Sequence, residues 1–416
     1  IYEYFLTQFA DQKAHDGGEF FTPVSLVSLI ANVLEPKKGT MLDPATGSGG
    51  MFVQSAQFVE KLHQNPNDKL NFYGMEKNAT TINLAKMNLA VHGLVGDIKK
   101  AISYYEDPHN LLGKADFVMA NPPFNVDEID ADKIKNDPRL PFGLPGVNKK
   151  GKVSNGNYIW ISYFYSYLNN TGRAGFVMSS QASSAGQGEA KVRQKLIETG
   201  DVDIMIAIRS NFFYTRTVPC ELWFFNKAKP EALKDKVLMI DARNIFRKVT
   251  RKIYDFSPEQ LQNILSIIWL YRNEPKRFHD LVAGYLSQSL DESIKCFVMK
   301  DSEGKEIRPI GDYAETFAKL RKEIKPFIVS LPEDGEQAET LKQLNESIKN
   351  FSNGIKEFEN KSKQENKWWS GQDSDSVNLP KTVERLAPFA EQSHNLLKDA
   401  ELMYRLMNRL IDLCLN

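Results

Sequence analysis

The sequence predicts a doubly wound α/β fold, a mostly parallel sheet with helices on both faces, followed by a helical C-terminal extension. Three observations predict it. From Thr22 onward, short apolar runs alternate with segments of helical period, the arrangement that builds a helix-covered parallel sheet. The first such run leads into a glycine-rich turn, Asp43-Pro44-Ala45-Thr46-Gly47-Ser48-Gly49-Gly50, which feeds straight into a helical segment. After about Asp255, strand signals become scarce and the chain turns charged, glutamine-rich and helical.

The elements follow in order. Thr22-Pro23 reads as an N-cap and first helical residue, Val27, Ile30 and Leu34 share a face, and Glu35-Pro36 stops the helix. Residues 40–43 read as a strand, 51–62 as a helix, 71–75 as a strand, and 80–91 as a helix closed by Gly93. Further strands are expected at 117–120, 174–178, 202–208, 218–225 and 237–240, with helices at 158–168 and 189–198. Between 125 and 156 no period holds, so this is a long loop of the kind that closes over ligands. Near the C-terminus, Leu396, Leu397, Ala400, Met403, Tyr404, Leu406, Met407, Leu410 and Leu413 crowd a helix so densely that burial follows; a Gly, Ser and Asp-rich break precedes it at 370–376.

Composition bounds the function. A chain of 416 residues with 42% hydrophobic content can bury one large core and a second, smaller unit. Lys plus Arg and Asp plus Glu both number 53, so the whole chain lacks the electrostatic footprint of a stand-alone nucleic-acid binder. Basic clusters exist locally, at Arg243, Arg247, Lys248, Arg251 and Lys252 and at Lys149, Lys150 and Lys152, and either could meet phosphate. Cys220, Cys296 and Cys414 are scattered, without a CxxC pair, which argues for reduced thiols, no structural zinc and a cytoplasmic setting. No apolar stretch approaches membrane-spanning length, and no charged-then-apolar leader follows Ile1; a chain starting there reads as a fragment.

Two stretches carry chemistry. The glycine-rich turn lets a ligand approach the backbone, and the helix behind it offers free N–H groups to a carboxylate or phosphate. It matches neither the dinucleotide fingerprint nor a Walker loop, since no Lys-Ser or Lys-Thr follows Gly50. Glu76, one βα unit downstream, stands where an acidic side chain can accept from both hydroxyls of a ribose. The tetrapeptide Asn121-Pro122-Pro123-Phe124 follows the apolar run 117–120 and sits at a strand mouth, where a di-proline turn fixes φ and removes two donors. Such a cradle suits an exocyclic amine.

In the order Glu19-Phe20-Phe21-Thr22-Pro23, then 43–50, then Glu76, then 121–124, these motifs resemble the S-adenosylmethionine-dependent DNA adenine methyltransferases of the gamma class. The likeness is greatest to the modification subunit of type I restriction-modification systems, and runs from about Tyr2 through Asn226. The resemblance implies a seven-stranded, Rossmann-like methyltransferase sheet over 19–254, a remnant of an N-terminal helical region at 1–18, and a subunit-docking region at 255–416. It implies S-adenosyl-L-methionine as cofactor, with Thr22 and the Ser48-Gly49-Gly50 backbone at its methionine end, Glu76 at its ribose, and Glu19, Phe20, Phe21, Pro23, Asp43, Thr46 and Gly47 around it. An acidic residue after the third strand should meet the cofactor adenine; Asp97, Glu106 and Asp107 compete for that role. The catalytic group is Asn121 to Phe124.

Methylating an adenine amine requires pulling electron density back onto a nitrogen conjugated with the ring. The side-chain oxygen of Asn121 and the carbonyl of Pro122 can do so by accepting the amine hydrogens. Phe124 can stack on the base once it leaves the duplex, with Phe213, or Phe212 beside it, on the opposing face. No metal is required. Implied partners are double-stranded DNA, a second modification subunit, a specificity subunit that sets the target, and a restriction subunit. Two rivals remain: an N-methyltransferase acting on RNA or a glutamine amide, which residues 19–23 argue against, and a non-catalytic scaffold, which intact Asn121, Pro122 and Glu76 argue against.

Overall fold

The structure is a computed structural model and describes residues 22–213, 218–251, 253–329 and 335–415. The chain divides into two compact units, Ile1–Arg272 and Asn273–Asn416.

The first unit is built on an eight-stranded sheet. Its strands are β1 Gly39–Asp43, β2 Leu70–Glu76, β3 Gly96–Lys100, β4 Ala115–Ala120, β5 Leu168–Ser179, β6 Val202–Ile208, β7 Cys220–Asn226 and β8 Leu238–Asp241. In space they run β8-β6-β7-β5-β4-β1-β2-β3. All neighbours pair in parallel except β7, which is antiparallel to both β5 and β6. The doubly wound, mostly parallel α/β fold is therefore as expected, with one strand more than the seven anticipated. The additional strand is β3. It lies at the sheet edge and buries only Ile98, so its five residues carry too little apolar period to be read as a strand.

The longer helices of the unit are α1 Val24–Leu34, α2 Gly50–Glu60, α3 Ala79–Val91, α4 Asn157–Tyr167, α5 Gln187–Glu198 and α6 Pro258–Tyr271. Two apolar clusters result. One gathers α1, α2 and part of α6 with Phe212, Phe213 and Phe256. The other gathers α4 with Trp223, Phe225 and the buried part of the long loop. Helix α6, counted with the C-terminal region in the sequence reading, belongs here: Ile264, Leu265 and Ile268 are core residues, and a Ser257/Gln260 capping box starts it.

Two expectations change. Thr22 does not cap α1: Pro23 occupies the N-cap position and no side chain caps the helix. The stretch from 125 to 156 is not a free lid, because Ile129, Ala131, Ile134, Leu140 and Phe142 are buried and residues 129–130 pair with 152–153. Arg139 pins it. This 3% exposed guanidinium donates to the carbonyls of Ser103 and Glu106 at 2.9 and 3.0 Å and to the Tyr167 hydroxyl at 2.9 Å. It also pairs with Asp137 at 2.7 Å and lies 4.1 Å from the Tyr163 ring centroid.

The described residues of the second unit form four helices, α7 Pro275–Lys295, α8 Pro309–Val329, α9 Glu336–Trp369 and α10 Leu379–Leu415, with one short ribbon. The break expected at 370–376 is the turn between α9 and α10. Buried Leu344, Phe351 and Phe358 recur every seven residues on α9, as do Phe389, Leu396, Met403 and Leu410 on α10. That is a coiled-coil seam. Phe358 stacks on Phe389 with centroids 5.1 Å apart, Glu365 accepts from Arg385 at 2.7 Å, and Glu336 meets Arg409, so the two helices run antiparallel. The burial expected of α10's apolar residues holds on one face, whereas Leu397 and Tyr404 are 58% and 60% exposed. Among the described residues no helix is long and apolar enough to cross a membrane.

Candidate active site

Strands β1 and β4 are neighbours, with Met41 opposite Phe117 and Leu42 opposite Val118. Both run the same way, so the glycine-rich turn leaving β1 and the tetrapeptide leaving β4 emerge side by side at the carboxyl edge of the sheet. In doubly wound folds that edge is where ligands bind.

The turn is held from beneath. Gly47 and Gly49 adopt left-handed φ of 53° and 79°, which only glycine reaches cheaply. The Thr46 hydroxyl donates to the Asp43 carbonyl at 2.8 Å and the Thr46 N–H to the Met75 carbonyl at 3.1 Å. A Cβ on Gly74 would lie 2.5 Å from Thr46 Oγ1, so β2 must present a glycine under the turn. At Gly50 a Cβ would meet open space, which leaves the N-terminus of α2 accessible. Asn88 of α3, unremarked in the sequence, is buried and donates to the Ser48 carbonyl at 2.9 Å.

Two carboxyl groups flank the turn. Glu76 accepts from the N–H groups of Gly47 at 3.2 Å and Asn78 at 2.9 Å. Asp43 is 1% exposed and is pushed up to about 8, chiefly by burial and further by the charge of Glu76, against a lowering hydrogen bond from Ala45 N–H.

In the tetrapeptide, Pro122 is buried and Pro123 exposed. Asn121 Nδ2 donates to Thr22 Oγ1 at 2.9 Å, so the hydroxyl expected to cap α1 instead orients a carboxamide 99 residues away. Asn121 Oδ1 is buried and has no partner among the described residues. A buried acceptor left unmet is costly, of the order of 1–3 kcal/mol, and is a site prepared for a donor. Phe124 meets Phe213 edge to face, with centroids 6.5 Å apart at 88°. Phe212 instead packs in the core on Phe256 at 4.7 Å, which removes it as a stacking candidate.

Behind Phe124 the chain is clasped. Asn125, at φ 56°, donates its N–H to Asn157 Oδ1 at 2.9 Å, and its own Oδ1 accepts from Asn157 Nδ2 at 2.9 Å and from Asn155 Nδ2 at 3.1 Å. Asn157 is 1% exposed at the start of α4.

Of the three acidic candidates, Asp97 pairs with Tyr73 inside β3, away from the carboxyl edge. Glu106 accepts from Ile102 N–H at 2.6 Å, and Asp107 has a buried Oδ1 with no partner among the described residues. Glu19, Phe20 and Phe21 lie outside the described residues.

Residues 1–285 match the family model described as N-6 DNA Methylase. The chain belongs to that family. The chain is 40% identical over 269 residues to the type I restriction enzyme MjaIX methylase subunit of Methanocaldococcus jannaschii, covering 64% of this chain and 47% of that one. It is 34% identical over 294 residues to the type I restriction enzyme HindI methylase subunit of Haemophilus influenzae, covering 70% and 64%. The crystal structure of a type I restriction-modification methyltransferase subunit from Streptococcus thermophilus superposes with a TM-score of 0.56 at 26% identity, over 64% of this chain and 56% of that one. This N-6 DNA methylase chain thus spans about half to two thirds of the length of the relatives it matches. The matched span takes in both loops at the carboxyl edge as well as α6, the last helix of the first unit.

Proposed function

We propose that this chain is the modification subunit of a type I restriction-modification complex and methylates the exocyclic N6 amine of a flipped adenine in DNA, with S-adenosyl-L-methionine as donor. The observation that carries the reading is Asn121: a buried, unmet carboxamide oxygen at the mouth of β4, beside the glycine turn of β1.

The residues fit such a cofactor. The turn is built of left-handed glycines, and the start of α2 is open to a carboxylate. Ser48, Gly49 and Gly50 would hold its methionine end, Asp43, Thr46 and Gly47 would support that turn, and Glu76 would hold the ribose. Asp107, in the loop leaving β3, fits the adenine contact better than Asp97, which lies near the start of β3, away from the carboxyl edge. When bound, the cofactor supplies an electrophilic sulfonium methyl.

The chain's own work is to prepare the amine. Thr22 accepts one Nδ2 hydrogen of Asn121, leaving Oδ1 as the acceptor for an amine hydrogen; the Pro122 carbonyl would take the second. Both bonds return lone-pair density to the nitrogen, and Phe124 would support the base by its face. The second unit, with its exposed Leu397 and Tyr404, would dock the specificity subunit, and a second modification subunit and a restriction subunit would complete a cytoplasmic assembly.

The test is transfer of labelled methyl to unmethylated duplex DNA by the chain co-expressed with its specificity subunit, followed by digestion to nucleosides. Label in N6-methyladenine that disappears with Asn121→Ala supports the reading. Label in RNA or protein, or none in DNA from a complex that binds cofactor, overturns it.

A further inference from the structure

We infer that Arg209 is a phosphate ligand for the DNA strand carrying the target base; this rests on the reading above and adds a residue to it. Arg209 immediately follows β6, which runs parallel to β4, so it stands on the same carboxyl edge as Asn121 with two strands between them. At about 4.8 Å per strand that is roughly 14 Å, a span of a few nucleotides.

Its guanidinium is prepared for an anion. The carbon lies 4.0 Å from the Phe246 ring centroid and 4.8 Å from that of Tyr254, two rings stacked 4.9 Å apart at 25°. This stacking fixes the plane of the fork without using its donors. Nε is buried and no acceptor meets it among the described residues. The platform is braced against the site: Tyr254 N–H donates to the Asn211 carbonyl at 3.0 Å, Phe212 packs on Phe256, and Phe213 reaches Phe124.

Two arginines of the basic run that the sequence nominates are less available. Arg243 is held by Asp241 and Arg247 by Asp255, each at 2.7 Å, so both are matched by carboxylates of their own segment. Among the described residues no such carboxylate meets Arg209. A planar fork without an acceptor, on the rim that would receive a negatively charged strand, matches a phosphodiester oxygen pair.

The experiment uses the complex with its specificity subunit and compares wild type with Arg209→Gln. DNA affinity is measured across salt concentration, and cofactor affinity in parallel. The expected result is about tenfold weaker DNA binding at low salt and a salt slope reduced by about one, with cofactor affinity unchanged. Unchanged DNA affinity and slope in a variant that binds cofactor normally would overturn the inference. Should Arg209→Gln lose cofactor binding, Tyr254→Leu decides, since it leaves the charge but removes one face of the platform: weaker DNA binding with cofactor affinity intact supports the role, and unchanged DNA binding refutes it. Wild-type complex that methylates adenine while Arg209→Gln keeps full DNA affinity sinks this inference alone. Wild-type complex that transfers no methyl to DNA sinks the reading on which it rests.

Discussion

Asn121 and Thr22 are joined by a 2.9 Å hydrogen bond in which the carboxamide donates and the hydroxyl accepts, and Asn121 Oδ1 is buried with no partner among the described residues. The bond links a residue ahead of the first helix to the mouth of the fourth strand. Removing the hydroxyl with Thr22→Val frees the carboxamide to rotate, and a neutral hydrogen bond is worth about 1 kcal/mol. The single-turnover rate at saturating cofactor should fall several-fold, with Thr22→Ser restoring it. Asn121→Ala, which removes the acceptor itself, should lower that rate by about 10²–10³. Equal rates for Thr22→Val and wild type would show that the bond does not orient the amide.

The buried Asp43 makes stability depend on pH. Its folded value of about 8 lies above the ordinary 3.8, so the native state keeps a proton that the unfolded chain releases across that window. This contribution is therefore complete below pH about 4 and is lost as the pH rises through about 8, at up to about 1.4 kcal/mol per unit. Asp43→Asn removes the titration. Urea unfolding of wild type should weaken between pH 5 and pH 8 more than that of the variant, and parallel curves would refute the shift.

Gly74 has no room for a methyl, since a Cβ there would press on Thr46 Oγ1 at 2.5 Å and on Ile98 at 3.2 Å. Gly74→Ala should cost about 1–3 kcal/mol by overpacking and lift the turn from β2. Adding Thr46→Ala removes the clashing atoms and should recover part of that loss. The checks are the melting temperature and cofactor affinity of both variants; additive losses would mean that the two residues do not meet.

Arg139 satisfies two carbonyls of the loop between β3 and β4 and one hydroxyl of α4. Arg139→Met leaves Asp137 without its buried cation, and breaking such a pair typically costs about 3–5 kcal/mol. Denaturant unfolding should show that loss at low and at high salt alike, because water and ions scarcely reach a side chain that is 4% exposed. A loss that vanishes in high salt would place the pair at the surface.

What the sequence made legible is local. The turn 43–50 and the tetrapeptide 121–124 each carry their chemistry within a few residues, beside strands whose apolar runs are unambiguous. Strand β3 was not legible because an edge strand with one inward residue has almost no pattern. The distant partners of Thr22, Arg139 and Asn157 were not legible because those bonds span 28 or more residues, and nothing near a buried Asn or Arg in sequence distinguishes it from an exposed one. The seven-residue seam of α9 could have been read, since Leu344, Phe351 and Phe358 stand in plain register amid charged neighbours.

The pairing of β1 with β4 has a consequence for quality control. Met41 opposite Phe117 and Leu42 opposite Val118 fix how far the turn of β1 reaches relative to the tetrapeptide of β4. A slip of one residue would move every side chain of β4 to the opposite face and carry Asn121 away from Thr22, while the sheet could still form. If the proposed reaction holds, methyl transfer per molecule is an assay of strand alignment: a preparation with native helix content but low specific activity would reveal a misaligned population that far-ultraviolet spectroscopy does not see.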